Sequence, residues 1–188
     1  LSPAELFIIR LTVILLIDPP YADWTALYGF DYFTDVYDLD LSPDGLFLTA
    51  ASADVSGDQR LVRVRTADIL QGRWEPEALF DFGKDAPASF RFSPDGRFLY
   101  GSSYYTGVSN IFRYDLERKT LDALSNGETG FFKPVPAAED GPLLVFKYTK
   151  DGFVPGWIPG RPVEDVNAIR FLGQEIVDRH PAVKNWTI

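Results

Sequence analysis

The chain has 188 residues, and with 46% hydrophobic and 15% aromatic residues it is long and apolar enough to form a globular domain rather than a disordered segment. Its 27 acidic and 18 basic residues give a formal net charge of −9, so we expect no nucleic-acid partner, which would require a clustered basic surface. The absence of cysteine excludes disulfides, thiol catalysis and cysteine-ligated metal sites.

The first predicted element is the apolar run of residues 6–17. It is shorter than the roughly 20 residues that a membrane-spanning helix needs, and Arg10 interrupts it, so we expect no membrane span. No basic leader precedes the run, and the Asp-Pro-Pro sequence at residues 18–20 is not a small-residue cleavage site. We interpret the run as a buried strand, with the remnant of a targeting segment as the alternative.

Aromatic side chains are dense around the end of residues 1–30, a segment that we expect to supply strands of a partial repeat unit. The rings are expected to pack on the core or between units. A ligand platform is the alternative, because exposed rings beside carboxylates suit polar ligands with apolar faces. The side chains along the chain that we consider for such ligand contact are Trp24, Tyr28, Tyr32, Tyr104, Tyr105 and Trp157.

A repeated turn motif organises the centre of the chain. Ser-Pro-Asp-Gly at residues 42–45 returns at residues 93–96, and a weaker Asp-Gly echo lies at residues 140–141. In such a turn the proline presets φ, the aspartate bonds back to the backbone and the glycine adopts positive φ. Each copy therefore predicts two strands joined by a tight turn, and the spacing predicts a repeat architecture.

The alternation of apolar and polar residues around the turns predicts four strands in each unit. The first unit covers residues 31–83, the second residues 84–127, and a degenerate third residues 128–163. Because Pro155 would be poorly tolerated in a central strand, we expect its strand to be short or at a sheet edge. Antiparallel four-stranded units of this length predict an all-β fold with about three β-propeller blades.

The turn, followed by an aromatic or aliphatic pair and later by Ile-Phe-Arg-Tyr-Asp-Leu at residues 111–116, resembles the WD-like repeat of the TolB-type β-propeller family. The resemblance covers residues 31–158. It implies that Asp44, Asp95 and Asp140 serve the fold. It also implies a periplasmic or secreted bacterial protein, often with the propeller joined to another module, although a cytoplasmic location stays open.

Three blades do not close a ring, since closed propellers have about four to eight. The chain also contains no methionine, even at position 1, which indicates a processed or excised piece of a larger protein. We expect the remaining blades to come from the same protein or from a second chain.

The last predicted element is a short helix within residues 164–188. Ile169, Leu172 and Ile176 recur at helical spacing, and Pro181 would end the helix. His180, the only histidine, would then lie at the helix C-terminus, where the helix dipole favours positive charge. We expect it to be structural rather than catalytic.

No motif for catalysis or cofactor binding is present in the sequence. It contains no Gly-x-Ser-x-Gly nucleophile turn and no glycine-rich phosphate-binding loop. The oxygen-rich residues 54–58 do not match the spacing of a calcium-binding loop, so we interpret them as a solvated acidic loop and keep calcium as an alternative. A carboxylate pair from separate strands cannot be recognised in one sequence, and we nominate no catalytic or metal-binding residue.

The leading functional hypothesis is a non-catalytic propeller segment of a bacterial envelope or secreted protein that binds a protein or peptide. One alternative is the substrate-gating propeller of a multidomain hydrolase similar to prolyl oligopeptidase. Another is a carbohydrate-binding propeller that uses aromatic platforms.

Overall fold

The computed structural model describes residues 6–10, 12–137 and 141–163, and most of them lie in antiparallel strands. The N-terminal sheet contains β1 (Leu6–Arg10), β2 (Val13–Ile17) and β3 (Trp24–Gly29). Blade 1 contains β4 (Asp35–Leu41), β5 (Phe47–Ala53), β6 (Gln59–Arg65) and β7 (Glu77–Gly83). Blade 2 contains β8 (Pro87–Phe92), β9 (Phe98–Ser103), β10 (Asn110–Asp115) and β11 (Thr120–Ala123). Blade 3 contains β12 (Phe131–Pro136), β13 (Leu143–Thr149) and β14 (Gly152–Ile158).

Each sheet is a meander, in which every strand pairs with the one before it. This order confirms the predicted all-β fold of propeller-like blades. The pattern did not predict the one short helix of the described residues, α1 (Thr66–Leu70), which connects β6 to β7. Among these residues, no helix is long and apolar enough to cross a membrane. The predicted C-terminal helix and His180 lie outside the described residues.

The apolar run of residues 6–17 forms a hairpin instead of one strand. Leu6 pairs with Ile17 and Ile8 with Leu15, so β1 and β2 lie side by side. A mainly apolar run does not show where a chain reverses, because both strands of a hairpin can be apolar when the sheet is covered. The hairpin supplies two of the three strands of the N-terminal sheet.

Blade 3 has three strands in the part of the chain that the structure describes, whereas the sequence predicted four. Pro155 lies in β14, which is an edge strand of this sheet as expected. Beyond β14 the chain turns back to blade 2, where the Val163 N–H donates to the Ala123 carbonyl at 2.9 Å. The last residue described after β14 is therefore hydrogen-bonded to β11 of blade 2.

The two complete Ser-Pro-Asp-Gly turns have the predicted geometry. Gly45 and Gly96 have φ values of 73° and 74°, the left-handed conformation that favours glycine. In the first turn the Ser42 hydroxyl donates to the Asp44 carboxylate at 2.6 Å and accepts the Phe47 N–H at 2.9 Å. These bonds fix the start of β5, and Ser93 and Asp95 repeat them at the start of β9. The third copy includes Asp140, which lies outside the described residues.

The hydrophobic cores lie between successive sheets rather than within one of them. In β9 every residue is buried, because blade 2 is covered on both faces. Leu99 packs with Leu61 and Phe82 of blade 1, whereas Tyr100, on the opposite face, packs with Val145 of blade 3. Face-to-face stacking of this kind is how propeller blades bury their apolar residues.

Candidate functional site

The first strands of the three blades, β4, β8 and β12, lie next to one another, and each contains a β-bulge. At the bulge one residue has positive φ: 55° at Asp38, 56° at Ser89 and 49° at Lys133. Left-handed backbone is uncommon for residues other than glycine, so three occurrences at one place in the repeat are a feature of the fold. The bulges interrupt the alternation of side chains and redirect those that follow.

Two bulge-region carboxylates of β4 fasten blade 1 to blade 2. The Ser89 N–H donates to Asp38 Oδ2 at 2.7 Å, and the Phe92 N–H donates to Asp40 Oδ2 at 2.8 Å. Burial raises the pKa of the Asp40 carboxyl, although the Phe92 N–H and Arg91 act in the opposite direction. Both carboxylates are therefore engaged in holding the blades together.

A cleft of about 360 Å³ opens where the bulged strand of blade 2 meets blade 3. This volume falls within the lower range of small-ligand pockets. Its lining residues, which we call the cleft residues, are Ala88, Ser89, Ser102, Phe132, Lys133, Phe146 and Phe153. Three phenylalanine rings thus stand beside two hydroxyls and one amine.

The aromatic wall of the cleft continues onto an open face of blade 3. The rings of Phe132 and Phe153 meet edge to face with centroids 5.3 Å apart. Phe146 and Phe153 lie on the same face of the sheet as Trp157, and all three are exposed. The opposite face, which includes Val145, is the one that packs on blade 2. The wall is therefore accessible apolar surface.

Lys133 is the one charged side chain among the cleft residues. It is exposed, and within the described part of the chain it forms no ion pair. The Ser102 hydroxyl makes only a long contact, 3.4 Å, to the Ala88 carbonyl. The cleft can therefore offer a cation and hydroxyls to a ligand that its aromatic wall holds.

The six aromatic residues proposed from the sequence do not converge on one site, and none is a cleft residue. Tyr104 contacts one cleft residue, with its ring 6.3 Å from that of Phe132. Trp157 shares the open face of blade 3 described above. Tyr105 packs on Phe80 and Phe82, whose centroids are 5.6 and 5.7 Å away.

The other three proposed aromatics belong to the N-terminal sheet or to the loop after it. Tyr28 packs between Phe30 and Trp74, with ring centroids 5.1 and 6.2 Å away. Trp24, at the start of β3, is 62% exposed, and Tyr32, in the loop, is 94% exposed. These two rings remain available to a ligand but line no part of the cleft.

The sequence interpretation missed the cleft residues because a bulge is not visible in an alternating pattern. The turn spacing does place Asp38 and Ser89 at equivalent positions, 51 residues apart. The turn spacing does not indicate that both residues have positive φ. The degenerate third turn also shifts the equivalent position in blade 3, Lys133, out of this spacing. Repeat register was therefore the one signal that could have indicated these positions.

The acidic loop of residues 54–58 is neutralised by neighbouring cations. Asp54 accepts bonds from the Ser56 hydroxyl and from Arg60, and the hydroxyl lowers the pKa of Asp54 to about 2. The Lys84 amine lies 2.8 Å from Asp58 Oδ1 and 2.6 Å from the Ser56 carbonyl oxygen. Among the described residues, no group of three or more acidic, histidine or cysteine side chains is placed to hold a metal ion.

Solved structures with the same arrangement of blades are numerous, although no family model and no curated protein matches the sequence. A protein assigned as TolB from Agrobacterium tumefaciens is 19% identical, with a TM-score of 0.60 over 74% of this chain and 47% of that one. The fold is that of a TolB-like β-propeller. TolB from Acinetobacter baumannii is 13% identical, with a TM-score of 0.54 over 78% of this chain and 38% of that one.

The TolB-like propeller fold also occurs in enzymes. A puromycin hydrolase is 21% identical, with a TM-score of 0.58 over 78% of this chain and 24% of that one. The present chain thus spans less than half the length of each of these three structures. At this level of identity the similarity establishes the fold alone.

Proposed function

We propose that this chain is a non-catalytic β-propeller segment of a bacterial envelope or secreted protein, and that its cleft binds a peptide segment of a partner protein. The observation that carries the proposal is the accessible aromatic wall beside the Lys133 amine and two hydroxyls. The TolB-like fold and the resemblance of the turn motif support the cellular setting. The sequence offers no catalytic inventory that would favour chemistry at the cleft.

The cleft suits an apolar side chain carried on a polar backbone. Removing one such side chain from water contributes about 1.5–3 kcal/mol, and the three phenylalanine rings provide the surface. The hydroxyls of Ser89 and Ser102 come from the blade 2 side of the cleft, and a hydroxyl can bond a peptide group. A few placed polar groups beside apolar walls are what fix the orientation of a ligand in such a pocket.

The proposal can be tested with peptides selected from a random phage-displayed library on the immobilised chain, with dissociation constants then measured by calorimetry. Phe153→Ala and Phe132→Ala should each weaken binding about tenfold or more, because each removes part of the aromatic wall. Phe33→Ala is the matched control, since Phe33 is 62% exposed and Phe153 60%, and Phe33 lies outside the cleft.

Two results would contradict the proposal: a library that yields no binding peptide, or peptides that bind all three variants as they bind the unmodified chain. The same titration on the full-length protein is the second arm. If further blades cover Phe146 and Phe153 there, the selected peptides will fail to bind, and the cleft is then an internal seam of the propeller.

A hydrolase propeller is the second candidate, and the likeness to a puromycin hydrolase favours it. In that case the propeller would admit substrate to a catalytic module outside this chain. A nucleophile turn with Asp and His partners elsewhere in the full-length gene, together with peptidase activity of its product, would replace the scaffold proposal. The carbohydrate alternative has less support, because the six proposed aromatics form no common platform.

A further inference from the structure

Lys133 gives the cleft a chemical preference that its aromatic wall alone would not have. We propose that the cleft selects peptide segments in which a carboxylate lies within one or two residues of an aromatic or aliphatic side chain. This inference rests on the proposed function, namely that the cleft binds a peptide.

The first step of the argument is the position of Lys133 in the series of bulges. Asp38 in β4 is already bonded to the next bulge, because its carboxylate accepts the Ser89 N–H. Lys133 occupies the equivalent place in β12, the last of the three bulged strands, and its amine has no carboxylate within 4.0 Å in the described part of the chain. It is thus a cation that the fold positions but does not neutralise.

The second step is the charge around Lys133. The chain carries a formal net charge of −9, yet no cleft residue is acidic. Asp38, the acidic residue in the series of bulges, is not a cleft residue, and its carboxylate accepts the Ser89 N–H. An incoming carboxylate therefore meets a positive group without a competing negative one in the lining. A carboxylate bound by this amine forms a charge-assisted hydrogen bond, which is stronger than a bond between neutral groups.

The third step is spacing along the bound peptide. Phe132 directly precedes Lys133 in β12, and the Phe132 ring contacts that of Phe153. The Lys133 side chain therefore leaves the backbone next to the aromatic wall. An extended peptide advances about 3.3–3.6 Å per residue. A carboxylate that reaches the amine is then one or two residues from the side chain that enters the wall. Aspartate or glutamate beside phenylalanine or leucine meets this condition.

The test uses the peptides selected on the unmodified chain, each compared with its analogue in which Asp is replaced by Asn or Glu by Gln. Selected peptides should be enriched in an acidic residue within two positions of an apolar one. The amide analogues should bind the unmodified chain about five- to tenfold more weakly, because they lose the charge-assisted bond. With Lys133→Gln the two forms should bind equally, and Lys133→Arg should restore the preference.

Lys150→Gln is the control for net charge. Lys150 is exposed in the turn between β13 and β14, outside the cleft, so this variant has the same charge as Lys133→Gln but should keep the preference for acidic peptides. Thermal unfolding of each variant checks that it is folded. Lys133→Arg keeps the positive charge, so it tests the site even if Lys133→Gln loses stability.

The outcomes separate this inference from the function on which it rests. Peptides that bind and depend on Phe153 but show no acidic enrichment would overturn the inference and leave peptide binding standing. A preference that persists in Lys133→Gln would also overturn it. A selection that yields no peptide would overturn both proposals.

Discussion

Gly101 lies directly beneath the ring of Phe90 in the core between blades 1 and 2. A Cβ atom placed on Gly101 would be 2.2 Å from the ring carbon Cδ2 of Phe90, closer than any real contact. The ring cannot move away easily, because Phe90 is 2% exposed and packs 5.7 Å from Phe82. The requirement for glycine here comes from space and not from backbone conformation.

Gly101→Ala should therefore lower the free energy of unfolding by about 1–3 kcal/mol, the usual effect of overpacking a core. Gly156→Ala is the matched control, since a Cβ there would meet nothing within 4 Å and the strand conformation suits alanine. Urea unfolding followed by tryptophan fluorescence measures both. Equal stability of the two variants would show that Phe90 does not occupy this position.

At the scale of strands, the bulges are the elements that join blade 1 to blade 2. Asp38→Gly should reduce stability by about 1–2 kcal/mol, because glycine keeps the positive φ of 55° but leaves the Ser89 N–H without its acceptor. Asp38→Asn should cost less than about 0.5 kcal/mol, since the amide oxygen can still accept the bond and asparagine tolerates positive φ. Hydrogen exchange at the Ser89 amide should accelerate in the glycine variant alone.

A Ser89 amide that exchanges at the same rate in both variants would contradict this clamp between β4 and β8. So would a loss of stability in Asp38→Asn equal to that in Asp38→Gly, because it would assign the effect to charge rather than to the hydrogen bond.

The elements differ in how well the sequence predicts them. The turns at residues 42–45 and 93–96 are local, since each residue acts on backbone within a few positions of itself, and their geometry follows from the motif. The bulges and the contact of Gly101 with Phe90 depend on which residues face each other across strands. The cleft depends on the bulges and on which residues face each other across strands. Phe132 and Lys133 were therefore not among the predicted ligand contacts, although the sequence predicted strands in this unit.

At the scale of the molecule, the spacing of the repeat was enough to predict stacked sheets, because each unit has an apolar face that only a neighbour can cover. Blade 2 satisfies this requirement on both faces. Blade 3 satisfies it on one, and its other face carries Phe146, Phe153 and Trp157 exposed. The sequence could not show which side of the last blade is open, because alternation gives two faces without saying which one meets blade 2.

The acidic residues should make the whole fold unstable in acid. Among the residues that the structure describes, hydrogen bonds and ion pairs hold six carboxyls at a lowered pKa, those of Asp44, Asp54, Asp58, Glu77, Asp95 and Asp115. A carboxyl whose pKa is lower in the folded state stabilises the protein at any pH above its pKa in the unfolded state, which is near 4. This stabilisation is lost as the pH falls to the pKa of the folded state. Burial raises the pKa of Asp40, so this carboxyl has the opposite effect on stability, but it is one group against six.

The melting temperature should therefore fall as the pH is lowered from about 4 towards 2, and Asp54→Asn measures one share of that loss. The variant lacks the charge that holds Ser56 and Arg60, so it should melt below the unmodified chain at neutral pH. The gap should narrow steadily as the pH falls from about 4 to 2, because Asp54, with a pKa of about 2, is then roughly half protonated. Asp151→Asn, at an exposed turn carboxyl, is the control and should show no such gap. A gap that stays constant from pH 7 to pH 2 would mean that the charge of Asp54 contributes nothing to the fold.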